Sequence, residues 1–268
     1  MPRFLYIPVL VLYGWLTLAY LVPAWVGDRA RTASRRVVMA AVGLHALVFA
    51  ASLLLPHPAV GFSEGLSATS LGLMVAFLWV GIGRVRSVGM VAAPLSLALL
   101  GIALVVPPRG VQALEQTGYS LWLPVHLTLI FSGIAGFGLA CLVGMLYLWA
   151  RDRLKKKRLD GIRHLPSLEV LDRIQFRAML FGFVFLTLGI GAGGAWASAS
   201  LQGGWTVDPK VWVTLLIWLW YGIGLQLRLT LGQRGRWTAL FSITGFVGLL
   251  SSLVGVNLLI STWHGYGG

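Results

Sequence analysis

The sequence predicts an all-α, polytopic integral membrane protein of about eight transmembrane helices, with both termini outside, on the periplasmic side. Three observations predict it. Of 268 residues, 57% are hydrophobic and only 11% are charged, and mean hydropathy is +0.83, whereas a soluble domain carries about a quarter charged residues. The apolar residues gather into stretches near the ~20 residues that a ~30 Å hydrocarbon core requires. The cations alternate between successive connections, as the positive-inside rule demands. A soluble globular enzyme is excluded, and so is disorder, which needs low hydrophobicity. A single cysteine, Cys141, excludes an internal disulfide and a cysteine-based metal cluster. No Cys-x-x-Cys-His occurs, so the chain is not itself a c-type cytochrome. It reads as one integral membrane domain, residues 1–268.

The eight stretches, in order, are Phe4–Val26, Arg36–Leu55, Leu66–Gly83, Val88–Val106, Trp122–Ala150, Phe176–Leu201, Val211–Leu229 and Trp237–Trp263. The first is too long for a signal peptide, and its basic cluster follows the apolar run rather than leading it. Arg29, Arg31, Arg35 and Arg36 lie in the first connection, and Arg84 and Arg86 in the third. The fifth carries nine cations between Arg151 and Arg177, and the seventh carries Arg228, Arg234 and Arg236. The opposite side holds Arg3, Arg109 and Lys210 alone. A split of eighteen against three over short loops makes the odd connections cytoplasmic. The net charge of +13 is thereby explained without a nucleic-acid partner. The run Arg151–Arg158 meets anionic headgroups of the lipid bilayer, at ~1 kcal/mol per residue near the surface. In the same connection, apolar positions 168, 171 and 174 between charges describe either a short interfacial helix or a ramp into the sixth span.

This topology gathers three distant segments on the outer face: Ser120–His126, the loop Trp196–Trp212, and Asn257–Tyr266. Carboxylates there are few (Glu64, Glu115 and Asp208), so hard-cation sites and paired-carboxylate hydrolysis are poorly supported. Two imidazoles, His126 and His264, among flat indoles suit a planar hydrophobic cofactor that holds an iron, because haem needs one or two axial ligands. Indoles offer broad apolar faces and one N–H. Gly191, Gly193, Gly194, Gly203 and Gly204 would let backbone approach closely. The same residues also admit plainer roles. Trp122, Trp205 and Trp263 suit a membrane-interface belt, Asp208-Pro209 suits an N-cap with proline at the first helical position, and the glycines suit helix packing. His45, near the middle of the second span, is a functional candidate by its depth or a neutral histidine bonded to a neighbouring helix. Cys141 reads as a small packing residue.

In motif content and order, the chain resembles the cytochrome c assembly proteins, the CcsA/CcmC group of haem-handling membrane proteins. The matching residues run from His126 to the C-terminus, within 120–268. They are Leu165-Pro166-Ser167-Leu168-Glu169 with Leu171-Asp172, then Gly194-Ala195-Trp196-Ala197, then Trp205-Thr206-Val207-Asp208-Pro209-Lys210. Further on come Gly232 to Arg236, Gly255-Val256-Asn257-Leu258-Leu259 and His264-Gly265-Tyr266. Its length and span count are closest to the small CcsA-like subgroup that includes HemX-type proteins. The resemblance implies that His126 and His264 are the axial ligands of a non-covalently held haem b, and that Trp205, Asp208 and Trp196 belong to the tryptophan-rich loop site. His45 is a second candidate haem ligand by its depth in the membrane, not by the resemblance. The resemblance also implies haem handling or delivery for c-type cytochrome assembly in a bacterial cytoplasmic (inner) membrane. A membrane partner of the assembly system and, indirectly, apocytochrome c would take part. Any enzymatic share would be as a component of a haem lyase system. Gln226 stands where the seventh span of the family often carries a histidine before an arginine, and Gly204, Thr206 and Val207 stand where more aromatics are usual. A HemX-like regulator of tetrapyrrole synthesis is the alternative that the resemblance allows. A small-molecule transporter is the third reading, but no internal repeat is visible and the buried polar set is thin.

Overall fold

A computed structural model of the chain describes residues 3–21, 28–53, 62–81, 86–106, 122–158, 165–200 and 208–259. It is all-helical. A 3-10 turn, Arg3–Tyr6, leads into α1 (Ile7–Leu21), followed by α2 (Asp28–Leu53), α3 (Phe62–Gly81), α4 (Arg86–Val105), α5 (Trp122–Lys155), α6 (Leu168–Ser200), α7 (Pro209–Thr230) and α8 (Arg236–Leu259). Each expected span has its helix. Seven of them, α1 with its leading turn through α7, are long and apolar enough to cross a membrane among the described residues. The chain divides into two compact units, Met1–Tyr119 and Ser120–Gly268.

The first unit is knit by buried polar contacts, which in hydrocarbon must be satisfied inside the protein. His45 of α2 is fully buried. Its Nδ1 pairs with the Tyr13 hydroxyl of α1 at 3.0 Å and its Nε2 with Ser67 Oγ of α3 at 3.0 Å. The rings of Tyr6 and Tyr13 stand edge-on to it, each with centroids 5.7 Å away. Ser70 of α3 donates to the Ser96 carbonyl of α4 at 2.8 Å. One imidazole thus joins three helices through both nitrogens, as the bonded-histidine reading expected.

The second unit is built on the antiparallel pair α5 and α6, of 34 and 33 residues. At ~1.5 Å per residue each exceeds the ~30 Å hydrocarbon core, and the extra turns lie at the basic end. A Cβ on Gly136 of α5 would come within 2.7 Å of the Gly182 nitrogen, and one on Gly133 would meet the Leu186 nitrogen at 3.0 Å. A Cβ on Gly189 of α6 would strike Ile130 at 2.7 Å, and one on Gly193 would strike His126 at 2.6 Å. From His126 the contact steps to Ile130, Gly133 and Phe137, while along α6 it steps back from Gly193 to Gly189, Leu186 and Gly182. Equal steps of four, three and four residues keep the two helices in register. The ring of Phe137 also stacks on Tyr221 of α7, with centroids 3.6 Å apart. Gln175 of α6, fully buried, donates to Ser242 Oγ of α8 at 2.6 Å.

Residues 168–174 form no separate interfacial helix; they are the first turns of α6, with Leu171 and Ile174 buried. Asp172 in that stretch is no solvated charge. Its carboxylate accepts two bonds from the Arg228 guanidinium of α7, at 2.7 and 2.8 Å, and a third from the Gly235 N–H at 2.8 Å. Arg228 also donates to Thr238 Oγ1 of α8 at 3.1 Å and lies 4.4 Å over the Phe176 ring. Gly235 sits at φ +69, where only glycine is unstrained, and the Tyr147 hydroxyl leaves it no room for a side chain. The clamp joins α6, α7 and the start of α8 in one bidentate ion pair. Asp172→Asn, which leaves Arg228 uncompensated, is expected to destabilise the protein by about 3–5 kcal/mol, and the joint change Asp172→Leu, Arg228→Met by clearly less. Thermal unfolding in mild detergent measures both.

Candidate functional site

At the end of the second unit where α5 begins and α6 finishes, four helices enclose a cavity of about 190 Å³. Ile130 and Ile134 of α5 line it with Leu186 and Ile190 of α6, which makes its interior aliphatic. The polar residues along its wall are His126, Trp196, Lys210, Thr214 and Ser252. Leu249 and Ser252 bring α8 to its wall.

His126 lies in the second turn of α5. Its Nδ1 is 2.7 Å from the Gly189 carbonyl of α6. A carbonyl only accepts, so the neutral imidazole carries its proton on Nδ1 and its lone pair on Nε2, the arrangement in which a histidine ligates a metal. Gly193, one turn on, makes room for the ring, since a Cβ there would lie 2.6 Å from both Nδ1 and Cε1. Gly194 borders the cavity, and a Cβ on Gly191 would meet nothing within 4 Å. Of the glycines that the sequence suggested, therefore, Gly193 seats the histidine.

Trp196 follows on α6, only 7% exposed. Among the described residues no acceptor reaches its Nε1, and an unmade hydrogen bond of this kind costs about 1–3 kcal/mol. Asp208, 2% exposed, is the N-cap of α7, as its place before Pro209 predicted. Its side chain accepts from the Lys210 N–H at 2.8 Å and its carbonyl from the Val211 N–H at 3.0 Å. This cap sets Lys210 beside the cavity. Trp122, 51% exposed, suits a headgroup-level anchor.

The structure thus brings His126 and Trp196 to one cavity and makes Asp208 the cap of its rim. Trp205 and His264 lie outside the described residues, as does the rest of the loop 201–207. His45 belongs to the first unit, with both ring nitrogens hydrogen-bonded. Gln226, in the last turns of α7, is exposed. Sequence reasoning missed the Gly189 carbonyl, the cavity-facing Lys210 and Thr214, and the Asp172–Arg228 pair. The spacing Gly189-x-x-x-Gly193, a small-residue contact signature in membranes, was the one available signal for the histidine seat.

Among the described residues, no three His, Cys, Asp or Glu side chains converge as a metal cage. An iron that arrives with a macrocycle's four nitrogens needs only one or two imidazoles, and an apolar lining with His126 and Trp196 on it matches the donor chemistry that such a group calls for.

Fold and site define a polytopic helical membrane protein with an imidazole-edged apolar cavity at one end of a four-helix unit. The chain belongs to the cytochrome c assembly protein family, whose model matches residues 15–264. That match takes in most of the first unit as well as nearly all of residues 120–268, which carry the motifs. The chain is 30% identical over 213 residues to "Cytochrome c biogenesis protein CcsA" of Prochlorococcus marinus (strain NATL1A), covering 67% of this chain and 66% of that protein. To the protein of the same name from Chlamydomonas reinhardtii it is 31% identical over 185 residues, covering 68% of this chain and 52% of the relative. The chain therefore spans about half to two thirds of the curated relatives it matches.

Gly193→Ala is expected to push the His126 ring off the Gly189 carbonyl and to destabilise the protein by roughly 1–3 kcal/mol, the cost of overpacking. Gly191→Ala is expected to leave the melting temperature in detergent unchanged or slightly raised. Equal melting temperatures for the two variants would contradict the seat.

Proposed function

We propose that this chain binds haem b non-covalently at the outer face of a bacterial inner membrane and handles or delivers it for c-type cytochrome assembly. The observation that carries the reading is the His126 imidazole, held through Nδ1 by the Gly189 carbonyl, with its ligating nitrogen defined, at the edge of an aliphatic cavity. His126 and His264 would hold the haem iron through their imidazoles, Trp196 and Trp205 would offer the ring their indoles, and Asp208 would hold the rim by capping α7. The printed names of the relatives support cytochrome c biogenesis as the process served. A membrane partner of the assembly system receives the haem and brings it to apocytochrome c. The chain's own part is to bind, orient and shield the cargo, as a component of a haem lyase system at most. The charge asymmetry of the loops supports placing the cavity outside and the basic ends of α5 and α6 in the cytoplasm.

Absorption spectra of the protein purified in mild detergent, oxidised and dithionite-reduced, test the reading. A Soret band with a reduced bis-imidazole α/β pattern is expected for wild type and is expected to vanish in the double variant His126→Ala, His264→Ala. A haem signal that survives the double change would move the site to His45, at the expense of a hydrogen bond to Tyr13 or Ser67. No haem in wild type after haem is added would sink the delivery reading.

A second reading, a HemX-like membrane regulator of tetrapyrrole synthesis, is favoured by one observation: Gln226, a poor haem ligand, is exposed on α7 and supplies no second haem position in the span. Deletion of the gene separates the two. Loss of c-type cytochromes is expected for haem delivery, and altered haem-precursor levels with normal cytochromes for regulation.

A further inference from the structure

The cavity is polarised along its length. Ile130 and Ile134 lie one and two turns inward from His126 along α5, and Leu186 faces them from α6. In the other direction the wall changes character. Trp196 lies three residues beyond Gly193, ~4.5 Å along α6, and Lys210 and Thr214 line the cavity from the opening turns of α7. The Thr214 hydroxyl is committed to the Lys210 carbonyl at 2.7 Å. The Trp196 indole is different, because it is buried, it lines the cavity, and no acceptor among the described residues reaches its N–H. A buried donor of this kind is a standing cost to the protein, relieved when a guest supplies an acceptor.

Resting on the haem reading above, we propose that Trp196 is a specificity-determining donor of this site: its indole N–H takes a carboxylate oxygen of the bound tetrapyrrole and so directs the carboxylate edge of the macrocycle to the outer rim. The hydrocarbon edge then lies against Ile130, Ile134 and Leu186, and the metal stands at the level of His126. A guest that lacks a carboxylate leaves the N–H unpaired and loses that contact. One indole therefore selects for a free acid and fixes which way round it enters.

The test uses the full chain in mild detergent, wild type and Trp196→Phe, titrated by absorbance with haem b and with its dimethyl ester, in which both carboxylates are blocked. Phenylalanine keeps an aromatic face and removes the N–H. Wild type is expected to bind haem roughly tenfold or more tightly than the diester, the usual worth of a hydrogen bond to a charged group. Trp196→Phe is expected to narrow that preference by about the same factor, chiefly by weakening haem. Equal affinity of wild type for haem and diester overturns the proposal without recourse to any variant. A preference that Trp196→Phe leaves intact overturns it too, because the carboxylate is then read elsewhere. A variant that weakens both ligands alike assigns Trp196 to packing and likewise overturns it. If wild type binds no haem, or His126→Ala binds it as well as wild type, the haem reading itself fails, an outcome distinct from the other three.

Discussion

Helices in a bilayer gain nothing by hiding leucine from lipid, so α5 and α6 associate through closeness of approach. Gly133 and Gly136 of α5 lie directly on the backbone of α6 around Gly182. At that spacing dispersion contacts are many and carbonyls come within reach of the facing helix. The His126 site depends on this contact. Only where α6 passes so near can the Gly189 carbonyl accept a hydrogen bond from Nδ1–H, and only a glycine at 193 leaves space for the ring. One run of small residues therefore supplies the packing of the hairpin, the tautomer of its histidine and one wall of the cavity.

The opposite end of the same unit is held by charge. Asp172 and Arg228 are nearly buried, with 12% and 9% of their side chains exposed. Such a pair is tolerable only when its remaining hydrogen bonds are made. Gly235 and Thr238 make them, and the Phe176 ring covers the guanidinium. Between the two ends, Gln175 donates to Ser242 Oγ, and the Tyr221 hydroxyl donates to the Ser242 carbonyl, within the bundle. The unit is thus fixed by glycine contact at the cavity end and by an ion pair at the basic end. The first unit uses a histidine bonded at both nitrogens for the same purpose.

Much of this was legible in order along the chain. Hydropathy and charge alternation placed eight helices, because a span must be apolar and of fixed length whatever it packs against. The cap at Asp208 was legible because capping is local: an acid before Pro209 meets the orphan N–H groups of the next turn. The start of α6 was legible as one of two readings, a ramp into the sixth span, and residues 168–174 are its first turns. What no local pattern reports is the partner of Asp172, because Arg228 lies 56 positions away. Gly235 of the 232–236 motif likewise answers to a distant contact, the Tyr147 hydroxyl that lies against it.

The same division holds at the site. Sequence alone determined the membrane class, the helix count, the imidazole and indole candidates and the resemblance to cytochrome c assembly proteins, since each rests on composition, local order or motif. Tertiary structure decided which candidates meet and in what state. It put His126 on Gly189 and Gly193, brought Trp196 to the same cavity with its N–H unpaired among the described residues, set Lys210 on the rim, and engaged both nitrogens of His45 within the first unit. No periodicity reports those outcomes, because each is a distance between helices, and a distance exists only once the chain has folded back on itself.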